Sequence, residues 1–134
     1  MGDQGQIWQV EAAAGRNVPG AGLTLALPSG QSVTLVETIW DEAGPMGLMA
    51  RFRFLAPEIN PATGSVSAES ATADIAWICQ DFALPQVMGA DDPPSQIVVS
   101  LEDRPVPFGE ADPEATQFFE AFRIENGSCI WEVF

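Results

Sequence analysis

Carboxylates, arginines and two cysteines are the side chains with which this chain could do chemistry. It contains 19 Asp and Glu, five cations that are all Arg, two Cys, and no His, Lys or Tyr. Without His there is no Ser–His or Cys–His nucleophile pair, and the usual catalytic zinc sites fail. Without Lys there is no Schiff base to pyridoxal phosphate. Two Cys are too few for a four-thiolate zinc or iron–sulfur site within one chain.

The acidic residues leave one catalytic scheme open. A pair of carboxylates of the kind that glycosidases use is formally allowed by 19 acids. Acidic side chains are nevertheless mostly solvated surface in folded proteins, and that is the interpretation we favour. We therefore expect no catalytic residues, no cofactor and no metal site, and a protein that is not an enzyme.

The formal net charge of −14 restricts the partners of the chain. Nucleic acids and anionic membrane surfaces would repel it, because both are bound largely through Lys and Arg.

The sequence has no apolar stretch long enough to span a membrane. Residues 1–18 lack the apolar core of a signal peptide, so the protein is either cytoplasmic or shown without a signal peptide that was removed.

The elements that must position these side chains form one domain of the α+β class. We expect an N-terminal arm that is partly ordered over residues 1–22 and a domain over residues 23–134. Alternating apolar residues and turn signals predict six strands around one helix, in the order βββ-α-βββ, as an antiparallel sheet with the helix on one face. The expected strands are Leu23–Leu27, Val33–Trp40, Leu48–Leu55, Ile97–Glu102, Phe118–Ile124 and Ser128–Phe134, and the expected helix is Ser67–Leu84. Simple alternation places Ile39 on the same face as Val33 and Leu35.

The two cysteines fall on predicted elements that face each other. Cys79 lies on the apolar stripe of the helix, and Cys129 lies in the last strand. Two interpretations compete, since a free buried Cys is a common small core residue, whereas a disulfide requires an oxidising compartment. The even number favours the hypothesis of a Cys79–Cys129 disulfide.

The arginines and one aromatic residue are the candidate binding residues. Arg51 and Arg53 alternate with Phe52 and Phe54, and Arg123 lies in another predicted strand. Ion pairs with nearby acids are the favoured role, and a clamp for an anion or carboxylate is the alternative. Residues 103–113 form a Pro-rich segment. It carries Arg104 and Phe108, which serve either as partner contacts or, for Phe108, as core packing.

Three segments resemble a group of small exported proteins of alphaproteobacteria whose function is unknown. They are the runs from Arg51 to Pro57, from Asp103 to Glu110 and from Thr116 to Ile124, and Cys129-Ile130-Trp131-Glu132 adds to them. The resemblance implies a periplasmic or secreted protein and favours the disulfide. Some relatives carry an acetolactate synthase label, which does not fit, because a thiamine-diphosphate enzyme needs a far larger chain.

Together these features favour a non-enzymatic binding or accessory domain of the bacterial cell envelope. Its expected partner is a protein or envelope component, contacted through the sheet face or the Pro-rich segment. Two alternatives stay open: a small-ligand binder or enzyme that uses carboxylates and Arg, and a structural subunit of a larger assembly.

Overall fold

A computed structural model describes residues 16–132 as one mixed sheet with a helical region on one face. Ser67 begins the helical region, because its side chain accepts a hydrogen bond from the Ser70 amide. The helical region comprises α1 (Ala68–Trp77), a π-helical segment (Ile78–Ala83) and α2 (Leu84–Met88). The strands are β1 (Arg16–Pro19), β2 (Thr24–Ala26), β3 (Ser32–Gly44), β4 (Gly47–Leu55), β5 (Gln96–Glu102), β6 (Gln117–Glu125) and β7 (Ser128–Trp131).

The sheet has the order β1-β3-β4-β5-β6-β7, and β2 pairs with the first part of β3 beside β1. The predicted α+β class, with one main helix against the sheet, is confirmed. One pairing differs from a purely antiparallel sheet, because β4 and β5 run parallel, with Phe52 opposite Val99. The helical region joins these two strands, and such a crossover is what parallel neighbours require.

The first residues of the described chain add a strand that the sequence pattern did not predict. β1 pairs with β3 from Arg16 opposite Trp40 to Pro19 opposite Glu37. The rest of the expected N-terminal arm, residues 1–15, lies outside the described residues, as do residues 133 and 134 at the end of the last predicted strand.

The helical region continues four residues beyond the predicted end at Leu84. The π-helical segment precedes Pro85, and the Leu84 amide bonds to the carbonyl of Cys79, five residues earlier. Pro85 has no amide hydrogen to donate, and it lies in the first turn of α2, where that loss is tolerated. Proline therefore begins a new helical segment here instead of ending the helix.

The hydrophobic core lies between the helical region and one face of the sheet. Phe52 and Phe54 of β4 are fully buried and meet the ring of Phe82 edge-on, with centroids 6.1 and 6.0 Å apart. Aromatic pairs favour this arrangement. Arg51 and Arg53 alternate with these two residues, so they lie on the opposite face of the sheet, which we call the open face.

Two irregularities in β3 decide which of its residues reach the open face. The register with β4 shifts between Leu35 and Glu37 and again between Ile39 and Glu42. Leu35 lies opposite Phe54 on the core face, whereas Ile39 lies opposite Arg51 on the open face. The alternation that placed Leu35 and Ile39 on one face is therefore wrong, because each extra residue of a β-bulge reverses the facing of the residues that follow.

Within residues 16–132, no helix combines the length and apolar character needed to cross a membrane.

Candidate functional site

Arg53 is the centre of the polar network on the open face, and it is only 5% exposed. Its Nη1 donates to Oε2 of Glu37 over 2.5 Å, and its Nη2 donates to Oε1 of Glu102 over 2.7 Å. Nη2 also donates to the backbone carbonyl of Val106. The guanidinium is thus neutralised and hydrogen-bonded on both ends of its fork, as a buried charge requires.

Arg51 is paired in the same way at the neighbouring position of the face. Its Nε and Nη2 donate to the two carboxylate oxygens of Glu42 over 2.9 and 3.2 Å. This bidentate pair depends on the second bulge of β3, which turns Glu42 toward the open face. The carboxylates of β3 and β5 therefore occupy both arginine forks that the sequence offered for an anion.

The Pro-rich segment is fastened to the rest of the domain at two points. The Val106 amide donates to Oε2 of Glu102 over 3.0 Å, beside the bond that Arg53 makes to the Val106 carbonyl. At its start, Asp103 accepts hydrogen bonds from the Thr116 amide over 2.9 Å and from Nδ2 of Asn60 over 2.7 Å. These bonds fix the segment as a rigid cover over part of the sheet.

Asp103 is ionised more readily than an ordinary aspartate. Burial opposes its ionisation, but the hydrogen bonds from the Thr116 amide and Asn60, together with the Arg104 guanidinium, outweigh burial and lower its pKa below 3.8. The anchor of the Pro-rich segment is therefore a carboxylate at neutral pH.

Phe108 is presented at the tip of the segment by a tight turn. The Glu110 amide donates to the Pro107 carbonyl over 3.1 Å, and Gly109 has a φ of +88°, the pattern of a type II turn. The Phe108 ring lies over both guanidiniums of the open face, 5.1 Å from Arg51 and 5.6 Å from Arg53. It is still 47% exposed, so the ring is held in place without being buried.

A cleft of about 170 Å³ lies between this turn and strands β4, β5 and β6. Arg51 and Arg53 contribute to its lining, Phe108 and Glu110 come from the Pro-rich segment, and Phe119 comes from β6. Phe119 is 65% exposed. Because both arginines already hold carboxylates, the cleft offers aromatic rings and acidic groups to a partner.

The other two predicted arginines do not line the cleft. Arg104 points toward Asp103 and Glu114, with N–O distances of 3.5 and 3.7 Å. Arg123 pairs with Glu125 and Glu132, and its hydrogen bond to Glu125 raises the pKa of the guanidinium. The structure therefore brings Arg51, Arg53 and Phe108 together and leaves Arg104 and Arg123 apart from them.

Comparison with known proteins shows the family to which the chain belongs. Residues 6–134 match a family of unknown function, DUF6497. The chain belongs to the DUF6497 family. The predicted resemblance to proteins of unknown function is confirmed to that extent. Searches of the curated proteins and of the solved structures give no match.

Several residues at this site were not predicted as site residues from the sequence. Glu42 pairs with Arg51, and Glu37 and Glu102 neutralise Arg53. Glu110 and Phe119 line the cleft. Phe119 could have been found from the sequence, because strict alternation in β6 places its side chain on the other face of the sheet from the core residues Phe118 and Phe122. Glu37 could not have been found in this way, because the face of the sheet on which its side chain lies depends on a β-bulge.

The hypothesis of a Cys79–Cys129 disulfide is confirmed in this DUF6497 structure, with the two Cα atoms 6.3 Å apart. The neighbouring Gln80 reinforces the link between the helical region and β7. Its Nε2 donates to the Gly127 carbonyl over 3.3 Å, and its Oε1 accepts from the Cys129 amide over 3.0 Å. The disulfide and this side chain together attach the last hairpin to the helical region.

Metal binding finds no support in the acidic residues of the described part of the chain. Across residues 16–132, no group of three or more Cys, Asp or Glu is arranged to hold a metal ion.

Proposed function

We propose that this DUF6497 chain is a small, non-enzymatic binding domain of the bacterial cell envelope. It docks a partner on the cleft between the Pro-rich segment and the open face of the sheet. The observation that carries the proposal is the pair of exposed rings at this cleft, Phe108 at 47% and Phe119 at 65% exposure.

Aromatic residues that stay exposed on a rigid frame are well suited to binding. Aromatic side chains supply much of the energy of protein interfaces, and their cost in conformational entropy is small. Phe108 is already ordered by Arg51 and Arg53, and the Val106 backbone is tied to Arg53 and Glu102. A partner would therefore meet a preformed surface.

The size of the cleft favours a macromolecular partner over a small ligand. Its volume of about 170 Å³ is below the ~300–1,000 Å³ that is typical of ligand pockets. Part of one side chain of a partner fits such a space, and the exposed rings of Phe108 and Phe119 supply contact area beside it.

The disulfide supports the proposed compartment. Disulfides persist in oxidising compartments such as the periplasm and are rare in the cytosol. Cys79 and Cys129 account for both cysteines of the chain. The resemblance to exported proteins points in the same direction.

Site-specific crosslinking in the native host tests this function. A photo-crosslinking residue replaces Phe119 in one variant and Met88 in a matched control, since Met88 is 51% exposed on α2. We expect a discrete crosslinked product from the Phe119 variant in the periplasmic fraction and none from the Met88 variant. Equal products from both variants, or none from Phe119, would contradict the proposal.

A further inference from the structure

The groups around the cleft carry more negative than positive charge. Two guanidiniums, those of Arg51 and Arg53, face three carboxylates, those of Glu42, Glu37 and Glu102. Glu110 adds a further carboxylate at the exposed rim. The ion pairs among residues 16–132 give Glu110 no arginine partner. An incoming anion would therefore meet repulsion and two occupied forks, whereas a cation would be attracted.

Phe108 already contacts guanidinium groups of the chain itself. Its ring lies within 5.6 Å of two of them, which is the geometry of a cation–π interaction. Phe119 stands across the cleft as an exposed apolar wall. The methylene stem of a long cationic side chain could pack against such a wall while its charged end reaches a carboxylate.

A cationic side chain for this place has to come from another molecule. Each of the five arginines of the chain is engaged: four pair with carboxylates, and Arg16 lies 5.6 Å from the ring of Trp40. A second copy of the chain would bring another net charge of −14 to the same surface. Self-association at this cleft is therefore opposed by like charges, while a basic protein would be steered toward it.

From these contacts we infer that the occupant of the cleft is a lysine or arginine side chain on a basic segment of a partner protein. The alkyl stem of this side chain lies against Phe119, and its cationic end lies at Glu110 and the outer part of the Phe108 ring. This inference rests on the proposed docking function and specifies the chemistry of the partner.

Amide chemical shifts of the intact protein test the inference with defined probes. One peptide consists of Lys-Leu-Ala repeats and its counterpart of Glu-Leu-Ala repeats. We expect the basic peptide to shift the amides of residues 108–110 and of Phe119, with saturation at millimolar concentration or below. The acidic peptide should leave these amides unchanged.

Matched variants separate binding in the cleft from general attraction to an acidic protein. Glu110→Gln should lower the affinity for the basic peptide about three-fold, as expected for the loss of one exposed ion pair. Asp92→Asn should leave this affinity unchanged. Phe119→Ala should lower the affinity for the basic peptide about ten-fold. Equal losses for Glu110→Gln and Asp92→Asn would overturn the inference. So would shifts centred on Asp91 and Asp92, or no shift at the cleft.

The two proposals fail in distinguishable ways. If crosslinking at Phe119 succeeds but the captured partner binds equally well to Glu110→Gln, the docking function stands and the basic occupant is wrong. If the Phe119 variant yields no crosslinked product, the docking function itself is wrong.

Discussion

At the residue scale, Arg53 links two parts of the molecule that are distant in sequence. It joins Glu37 of β3 to Glu102 of β5 and to the Pro-rich segment through Val106. The side chains of Arg53 and Glu102 are 6% and 4% exposed, so each charge depends on the other for its solvation. Removing one partner of such a buried pair leaves an uncompensated charge in the protein interior.

We predict that Arg53→Ala lowers the free energy of unfolding by about 3–5 kcal/mol, as measured by urea denaturation. Arg104→Ala is the matched control, since the Arg104 side chain is 39% exposed, and it should change this free energy by less than about 1 kcal/mol. Similar effects of the two substitutions would show that the buried network does not stabilise the fold.

Asp103 gives a prediction for the pH dependence of stability. Its pKa is lower in the folded protein, so the unfolded chain binds more protons once the pH approaches 3.8. The stabilisation by this carboxylate is complete at neutral pH and is lost as the pH falls from about 3.8 through the folded-state value. The stability advantage of the wild type over Asp103→Asn should therefore shrink in that range. Urea denaturation as a function of pH measures it, and Asp92→Asn should follow the wild type. An advantage that stays constant with pH would contradict the assignment.

At the element scale, the helical region is held to the sheet by packing and by a covalent bond. The apolar stripe of Ala71, Ile75 and Ile78 is fully buried against the sheet, and this much follows from helical periodicity. The π-helical segment was not predicted from that periodicity. Within it, Cys79 bonds to Cys129 of β7, and the Phe82 ring meets Phe52 and Phe54 of β4.

We predict that the disulfide stabilises the protein by about 4 kcal/mol, because it closes a loop of 50 residues in the unfolded chain. The double variant Cys79→Ala/Cys129→Ala should lose this stabilisation in urea denaturation. Reducing agent should destabilise the wild type in the same direction and leave the double variant unchanged. A wild type that is insensitive to reduction would contradict the prediction.

At the scale of the whole molecule, a net charge of −14 on 134 residues sets how the protein responds to salt and to partners. Like charges repel one another across the surface and oppose the compact state. Salt screens this repulsion over about 10 Å at 0.1 M ionic strength. The buried pairs of Arg53 are screened much less, because they are removed from solvent.

We predict that the urea midpoint rises when sodium chloride is increased from low to moderate concentration at neutral pH. The variant Asp91→Asn/Asp92→Asn, which carries two fewer negative charges, should show a smaller rise. A midpoint that falls with salt would mean that surface ion pairs outweigh the general repulsion.

The sequence by itself showed that schemes based on His or Lys are not possible, and it determined the class of the fold and several local structures. The helix stripe, the strand alternation of Phe52 and Phe54, and the Asn126-Gly127 turn depend on neighbouring residues, so periodicity and turn preference were sufficient. An Asn-Gly pair favours a hairpin turn in which both residues have positive φ, and Asn126 and Gly127 have φ values of 50° and 74°. The disulfide hypothesis succeeded because it needed only that two apolar faces meet.

Tertiary structure alone decided the facing of Glu37 and Ile39, the parallel pairing of β4 with β5, and the assembly of the cleft. Arg53 meets Glu102 and Val106 across 49 and 53 residues of chain, and no local pattern specifies such contacts. Each bulge in β3 moves the side chains that follow it to the other face of the sheet, so alternation in the sequence no longer predicts on which face a residue lies. The residue types that could do chemistry were visible in the sequence, but folding paired four of the five arginines with carboxylates and left the rings of Phe108 and Phe119 exposed at the cleft.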